Sequence, residues 1–281
     1  MMIVPRPGAR ATRRPAGLLA WGITAALALA LILLATETVQ AASVSMRLLV
    51  PAYFYPKGNQ FWRKLNEAAA QVPLTAILNP DSGPGRTADP NYVAAVTALR
   101  AAGGRVIGYV PTGYGRRDLD EVIGEVNRYL AMYEVDGFFI DEMAYDDAPA
   151  SYTYYRNLYQ AIKDLGAHYQ VIGNPGTSTQ AGYLEPRTAD VIVTFEDARR
   201  AYRRFVPADW TAGWPGSNFG HLVIGAGGAN AMREAVNRAA QFGVGHVFVT
   251  RDRLPNPWDT LPGYWQAQLD CVGAINAGQA C

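Results

Sequence analysis

From residue 48 onward the chain repeats one pattern eight times: a short apolar run, then a stretch with helical spacing. The apolar runs cover residues 48–53, 74–78, 106–110, 138–140, 169–172, 191–195, 222–224 and 246–250. They are continuous rather than alternating, as expected of parallel strands covered on both faces. The clearest helix falls between the third and fourth runs. Leu119, Val122, Ile123, Val126, Tyr129, Leu130 and Tyr133 recur there at 3.6 spacing, and Asp118 with Glu121 forms a capping-box variant at its start. Further helical stretches lie at 61–70, 92–102, 154–165, 229–242 and 265–275, with weaker pieces at 181–184 and 198–205. Eight strand–helix units predict an α/β fold, a single (β/α)8 barrel of the TIM type. A doubly wound open sheet normally has fewer units and a phosphate-binding first turn, and Pro56-Lys-Gly-Asn59 is not such a turn.

The barrel is assigned to residues 42–281, and residues 1–41 have the pattern of an export segment. Arg6, Arg10, Arg13 and Arg14 precede an uncharged stretch at 18–35, and Val39-Gln-Ala41-Ala42 offers small residues for a signal peptidase. As a helix, 18–35 would span roughly 27 Å, barely a bilayer core. Cleavage is the preferred reading, and an uncleaved signal-anchor is the alternative. Either way the domain is expected outside the cytoplasm, secreted or tethered through 18–35. The segment holds four arginines against Glu37, so the formal charge of +1 becomes about −2 for the remainder. No basic run with interleaved aromatics occurs, so nucleic acid is excluded as an expected partner. No cysteine lies near the cleavage region, which excludes a lipoprotein. The two cysteines, Cys271 and Cys281, are expected to pair in an exported chain, worth about 2–3 kcal/mol.

In a barrel of this kind the loops after the strands share one rim, where active sites collect. Two runs end on carboxylates: Gly137-Phe-Phe-Ile-Asp141-Glu142 and Val191-Ile-Val-Thr-Phe195-Glu196-Asp197. A single acid at such a place is more readily a helix cap, and Asp197 is read that way. Asp141, Glu142 and Glu196, on strands four and six, form a candidate catalytic set, because glycoside hydrolysis uses two carboxyls flanking one bond. Successive strand residues face opposite ways, so only one of Asp141 and Glu142 can easily point inward. Around these acids the rim carries Tyr53, Asn79, Ser82, Tyr109, Thr112, Tyr114, Asn174, Asp252 and Trp258. Rings for stacking and polar groups for hydroxyls suit a carbohydrate cleft, so these nine are candidate substrate contacts. Asp136 and Asp190 precede their strands and belong to the opposite, stabilising face. Gly225-Ala-Gly-Gly228, after strand seven, lacks the last glycine of a dinucleotide loop. His168, His221 and His246 show no metal-ligand spacing, and neither a zinc-protease nor a serine-hydrolase motif is present.

Several segments in one order resemble the spherulation-specific (spherulin-4-like) family. They are Pro51-Ala-Tyr-Phe-Tyr-Pro56, Ile77-Leu-Asn-Pro-Asp-Ser-Gly-Pro-Gly85, Gly108-Tyr-Val-Pro-Thr-Gly-Tyr114 and Asp136-Gly-Phe-Phe-Ile-Asp-Glu142. Asn174-Pro-Gly-Thr177, Thr194-Phe-Glu196 and Leu254-Pro-Asn-Pro-Trp258 complete the set. The resemblance implies a (β/α)8 barrel related to glycoside hydrolase family 135. Fungal members of that family act within galactosaminogalactan on α-1,4-linked N-acetylgalactosamine, and the family's acids fall on Asp141, Glu142 and Glu196. The expectation is therefore an exported, monomeric, endo-acting glycosidase on a hexosamine-containing exopolysaccharide, with no cofactor and no metal. Asp141 would be nucleophile and Glu196 acid/base, with Glu142 holding substrate or tuning its neighbours. A non-catalytic glycan-binding matrix protein and a sugar-phosphate barrel enzyme are the alternatives.

Overall fold

Runs of β-branched and aromatic residues with no polar alternation cannot be left with a wet face, and here they close on themselves. The computed structural model describes residues 45–281 apart from Asn59 and Pro186. The proposed export segment and tether therefore lie outside the described residues. Eight parallel strands form a closed barrel in sequence order. They are β1 (Arg47–Ala52), β2 (Leu74–Leu78), β3 (Arg105–Pro111), β4 (Gly137–Asp141), β5 (Gln170–Gly173), β6 (Val191–Ala198), β7 (Phe219–Ile224) and β8 (His246–Val249). The outer layer comprises α1 (Phe61–Ala69), α2 (Pro90–Ala101), α3 (Leu119–Met132), α4 (Pro149–Leu165), the single turn α5 (Arg199–Tyr202), α6 (Ala229–Gln241) and α7 (Trp265–Asn276). Between β5 and β6 a 3-10 turn at Ala181–Tyr183 takes the place of a full helix, with Tyr183 buried beneath it.

Local chemistry explains the boundaries. The Asp118 carboxylate accepts from Asp120 N and Glu121 N at the start of α3, and Asp89 with Pro90 opens α2 in the same way. On the N-terminal face, one device recurs. Asp136 accepts the amide of Val106 at 2.8 Å and binds Arg100 from α2. Asp190 accepts the amide of Val171 at 2.8 Å and binds Lys163 from α4. Each acid thus ties a strand start to the helix layer. At the C-terminus a disulfide joins Cys271 of α7 to Cys281. Asn276 brackets β1 nearby, accepting from Met46 N and donating to Met46 O.

Two strands differ from the sequence expectation. β7 starts at Phe219, ahead of the apolar run, so His221 lies inside the strand. β6 continues through Glu196 and Asp197 to Ala198, pairing with Leu222, Val223 and Ile224. The register slips between Val193 and Phe195, leaving Thr194 as a β-bulge. Thr194 and Phe195 both meet His221, which sits on the helix-facing side among Tyr202, Phe205 and Phe242. With two successive residues facing outward, Glu196 is the next to turn toward the barrel axis. Bulges commonly re-aim a side chain in this way.

Candidate active site

Alternation along β4 places Phe139 and Asp141 on the inner face, while Phe138 packs outward on Tyr129 of α3. β1 brings Pro51 and Tyr53 to the same interior, β7 brings Leu222 and Ile224, and β6 brings Glu196 and Asp197. These groups line a cavity of about 360 Å³ at the C-terminal end of the barrel. Its remaining wall is the loop after β8, Leu254 to Trp258, with a cis Leu254–Pro255 peptide. That loop is tied to β1 by a hydrogen bond from Tyr53 N to Trp258 O at 3.2 Å.

At the cavity floor, Asn174 connects two acids. Its amide nitrogen donates to Asp141 Oδ1 at 2.7 Å and to Glu196 Oε2 at 2.6 Å. Those two bonds laid end to end are the greatest separation the accepting oxygens can have. The two accepting oxygens are thus closer than the roughly 6.5–9.5 Å separation of an inverting glycosidase pair. Burial pushes the Glu196 carboxyl up to about 7, with the Asp141 charge adding to the effect and hydrogen bonds from Asn174 and Trp258 opposing it. Burial also raises Asp141, against hydrogen bonds from Tyr109 and Asn174 that favour its ionised form. Tyr109 stands behind Asp141, its ring edge-on to Tyr53 at 5.6 Å and stacked on Phe139.

Glu142 is placed differently. The chain turns left-handed at this residue, φ 48°, and the side chain does not line the cavity. Glu142 Oε2 accepts from Gly113 N at 3.1 Å, and Glu142 O accepts from Tyr114 N at 2.7 Å. Gly113, Tyr114 and Gly115 all have positive φ, so the β3 loop winds around this carboxylate. Glu142 is a tether for that loop, and its charge adds to the upward push on Asp141. Glu142 therefore stands beside Asp141 but outside the cavity lining.

Of the expected contacts, Tyr53, Asn174 and Trp258 line the cavity with the two acids. Thr112 does not. It is fully buried, and its hydroxyl lies within hydrogen-bond distance of Asp141 O, Glu142 O and the Tyr155 hydroxyl. Asn79 Oδ1 accepts from Gly83 N to shape the β2 loop, on which Ser82 is exposed. Asp252 binds Thr260 and organises the β8 loop. None of these three lines the cavity, whereas Tyr114 stands exposed on the rim outside it. Asp197, read from sequence as a helix cap, belongs to β6 and lines the cavity, and α5 has no side-chain cap. The wall residues Pro255, Asn256 and Pro257 carry no titratable signal; only the motif around them marked the segment. In the glycine loop after β7, Gly225 N and Ala226 N are taken by Asp252 O and Thr250 O, so neither amide is left for a phosphate. His221, held between Tyr202 and Thr194, is driven down to about 3 by burial and stays neutral.

A model of the spherulation-specific family 4 matches residues 47–272, from the first strand to the closing helix. The chain belongs to that family. Spherulin-4 of Physarum polycephalum is 38% identical over 158 residues, which is 56% of this chain and 46% of that protein, so the chain matches about half of its relative's length. Among solved structures, Sph3 of Aspergillus clavatus, determined in complex with GalNAc, superposes with a TM-score of 0.72 at 25% identity, covering 83% of this chain and 99% of that one. A chitinase domain from Pyrococcus furiosus superposes at 0.51 with 11% identity, covering 80% and 94%, a likeness of fold. This spherulin-4 family barrel therefore carries its acid pair at the end of the fold where TIM barrels do their chemistry.

Proposed function

We propose that this family member is an exported, endo-acting glycoside hydrolase that cleaves a polymer of N-acetylgalactosamine or galactosamine with retention of configuration. The observation that carries the reading is the single amide bridging Asp141 and Glu196, which holds two carboxyls close together in one cavity and so supports a retaining pair. The GalNAc complex of Sph3 supports the choice of sugar. Ionised Asp141 attacks the anomeric carbon while protonated Glu196 gives its proton to the departing glycosidic oxygen, and a glycosyl ester on Asp141 results. Glu196, now a carboxylate, takes a proton from water. That water attacks the same carbon and frees Asp141. The scheme draws on no metal or organic cofactor.

Among the described residues the cavity lining includes three acids, Asp141, Glu196 and Asp197, and no lysine or arginine. A partly deacetylated, cationic polymer is favoured by such a field. Export rests on the arginines, apolar stretch and small-residue site within residues 1–41.

Endo action is supported by rings outside the cavity on neighbouring loops: Tyr114 after β3 and Tyr145 after β4, 46% and 54% exposed. A chain running past the cavity can stack on them. Tyr145→Ala is expected to raise KM for long polymer roughly three- to tenfold, the scale of one lost aromatic contact. The KM for the shortest cleaved oligomer should stay put. Equal losses on both would place Tyr145 at the cleavage subsite.

A panel of hexosamine exopolysaccharides, scored for new reducing ends, tests the whole reading. Wild type should generate them on at least one polymer, and Asp141→Asn should not. Polymer retention by wild type without new ends on any member would support the glycan-binding alternative.

A further inference from the structure

Asn174 is 6% exposed, and every polar group of its side chain is engaged. Both amide hydrogens are directed at carboxylates, one to Asp141 and one to Glu196, while Oδ1 accepts from Gly176 N at 3.1 Å. The orientation is dictated chemically, since a flipped amide would set its oxygen against two acids and its NH2 against another donor. The backbone is fixed with equal care. Asn174 N donates to Ile140 O at 2.8 Å and Asn174 O accepts from Met143 N at 3.0 Å, so the residue straddles Asp141 on β4. Glu196 N donates to Gly176 O at 3.0 Å, which ties the same turn to β6. With its donors already spent, the amide has no N–H left for a sugar hydroxyl.

We infer that Asn174 is a positioning residue, which divides its two donors between Asp141 and Glu196 and so holds each carboxyl on its own N–H, rather than a substrate contact. Two like charges this close raise each other's titration, so without the amide neither carboxyl would ionise as readily and Asp141 would be a poorer nucleophile. An N–H to each stabilises both anions, lowering both titrations together while the unequal surroundings keep them apart. The inference rests on reading this pair as the reacting groups, but its first test does not require turnover.

The full chain, labelled with 13C at aspartate and glutamate carboxyls, is titrated by NMR. The Glu196 and Asp141 signals are assigned by their loss in Glu196→Gln and Asp141→Asn. In Asn174→Ala the Glu196 midpoint should rise one to two pH units above about 7, the size of a lost hydrogen bond to a charged group. The Asp141 midpoint should rise with it. Asn174→Asp keeps the shape, replaces a donor by a third acid, and should raise Glu196 at least as far. Where a cleaved polymer is in hand, the kcat/KM profile should move to higher pH by the same amount with KM little changed. Unmoved midpoints in both variants would overturn the inference, as would a raised KM on an unshifted profile. Shifted midpoints with no polymer cleaved would sustain it while removing the proposed activity.

Discussion

Glu196→Gln is expected to lower kcat on the polymer about 10²- to 10⁴-fold, the usual contribution of a positioned proton donor. Glutamine has the same shape and can still accept from Asn174 Nδ2 through its oxygen, so the cavity is preserved while the transferable proton is lost. The wild-type profile should show why that proton matters. Glu196 titrates near 7, so kcat/KM should fall about tenfold per unit well above that pH as the acid is lost. Below the range where Asp141 ionises it should fall again, because a protonated carboxyl is no nucleophile. In Glu196→Gln the alkaline limb should vanish, and an aryl glycoside with a good leaving group should recover much of its first step. A variant whose alkaline limb persists unchanged would assign that limb, and the acid role, to another group.

The same substitution is expected to stabilise the fold. An unfolded glutamate loses its proton near 4.5, whereas Glu196 in the barrel holds it to about 7. Between those values the folded chain binds a proton that the unfolded chain has released, so stability falls as pH rises through the window. Above the folded value the full deficit applies, on the order of 3 kcal/mol at about 1.36 kcal/mol per unit. Glutamine does not titrate and escapes it. Denaturant unfolding should therefore show Glu196→Gln more stable than wild type at pH 8, by that order, and closely matched at pH 4. Equal stabilities at pH 8 would mean that burial does not tax the Glu196 charge.

The barrel was legible because strands buried on both faces leave continuous apolar runs, and each run found here became a strand. What failed was reading the rim one residue at a time. Glu196 and Asp197 look like a loop after Phe195, yet β6 continues through them because backbone pairing with β7 does not require apolar side chains. A bulge at Thr194 decides which way Glu196 points, and a bulge is created by two strands together. Glu142 satisfied every compositional test for the site. Its place outside the cavity lining comes from one left-handed turn and an amide 29 residues earlier, at Gly113. Thr112 failed similarly, its hydroxyl lying against Tyr155, 43 residues away. Residues defined by chemistry at a strand end, Asp141 and Glu196, were visible; residues defined by partners distant in sequence were not.

Gly137→Ala is expected to be among the most damaging single-methyl additions in the chain, costing more than about 3 kcal/mol and lowering the denaturant midpoint accordingly. Gly137 opens β4 and pairs with Gln170 at the start of β5. A Cβ there would lie 2.1 Å from Gln170 O and 2.7 Å from Gln170 N. These are backbone atoms of the next strand, so no rotamer change relieves the contact, and β4 must part from β5 at that end. The damage does not stop at stability. Asp141 ends β4, and Asn174 follows β5 directly, so a shift between these strands changes the hydrogen bond from the Asn174 amide to Asp141 at the cavity floor. Protein that survives should lose kcat far more than it gains KM. Gly227→Ala is the control, with nothing within 4 Å of the added carbon, and should stay within about 1 kcal/mol of wild type. If Gly137→Ala matched that control in both stability and kcat, the β4–β5 pairing described here would be wrong, and with it the route by which Asp141 is brought to Glu196.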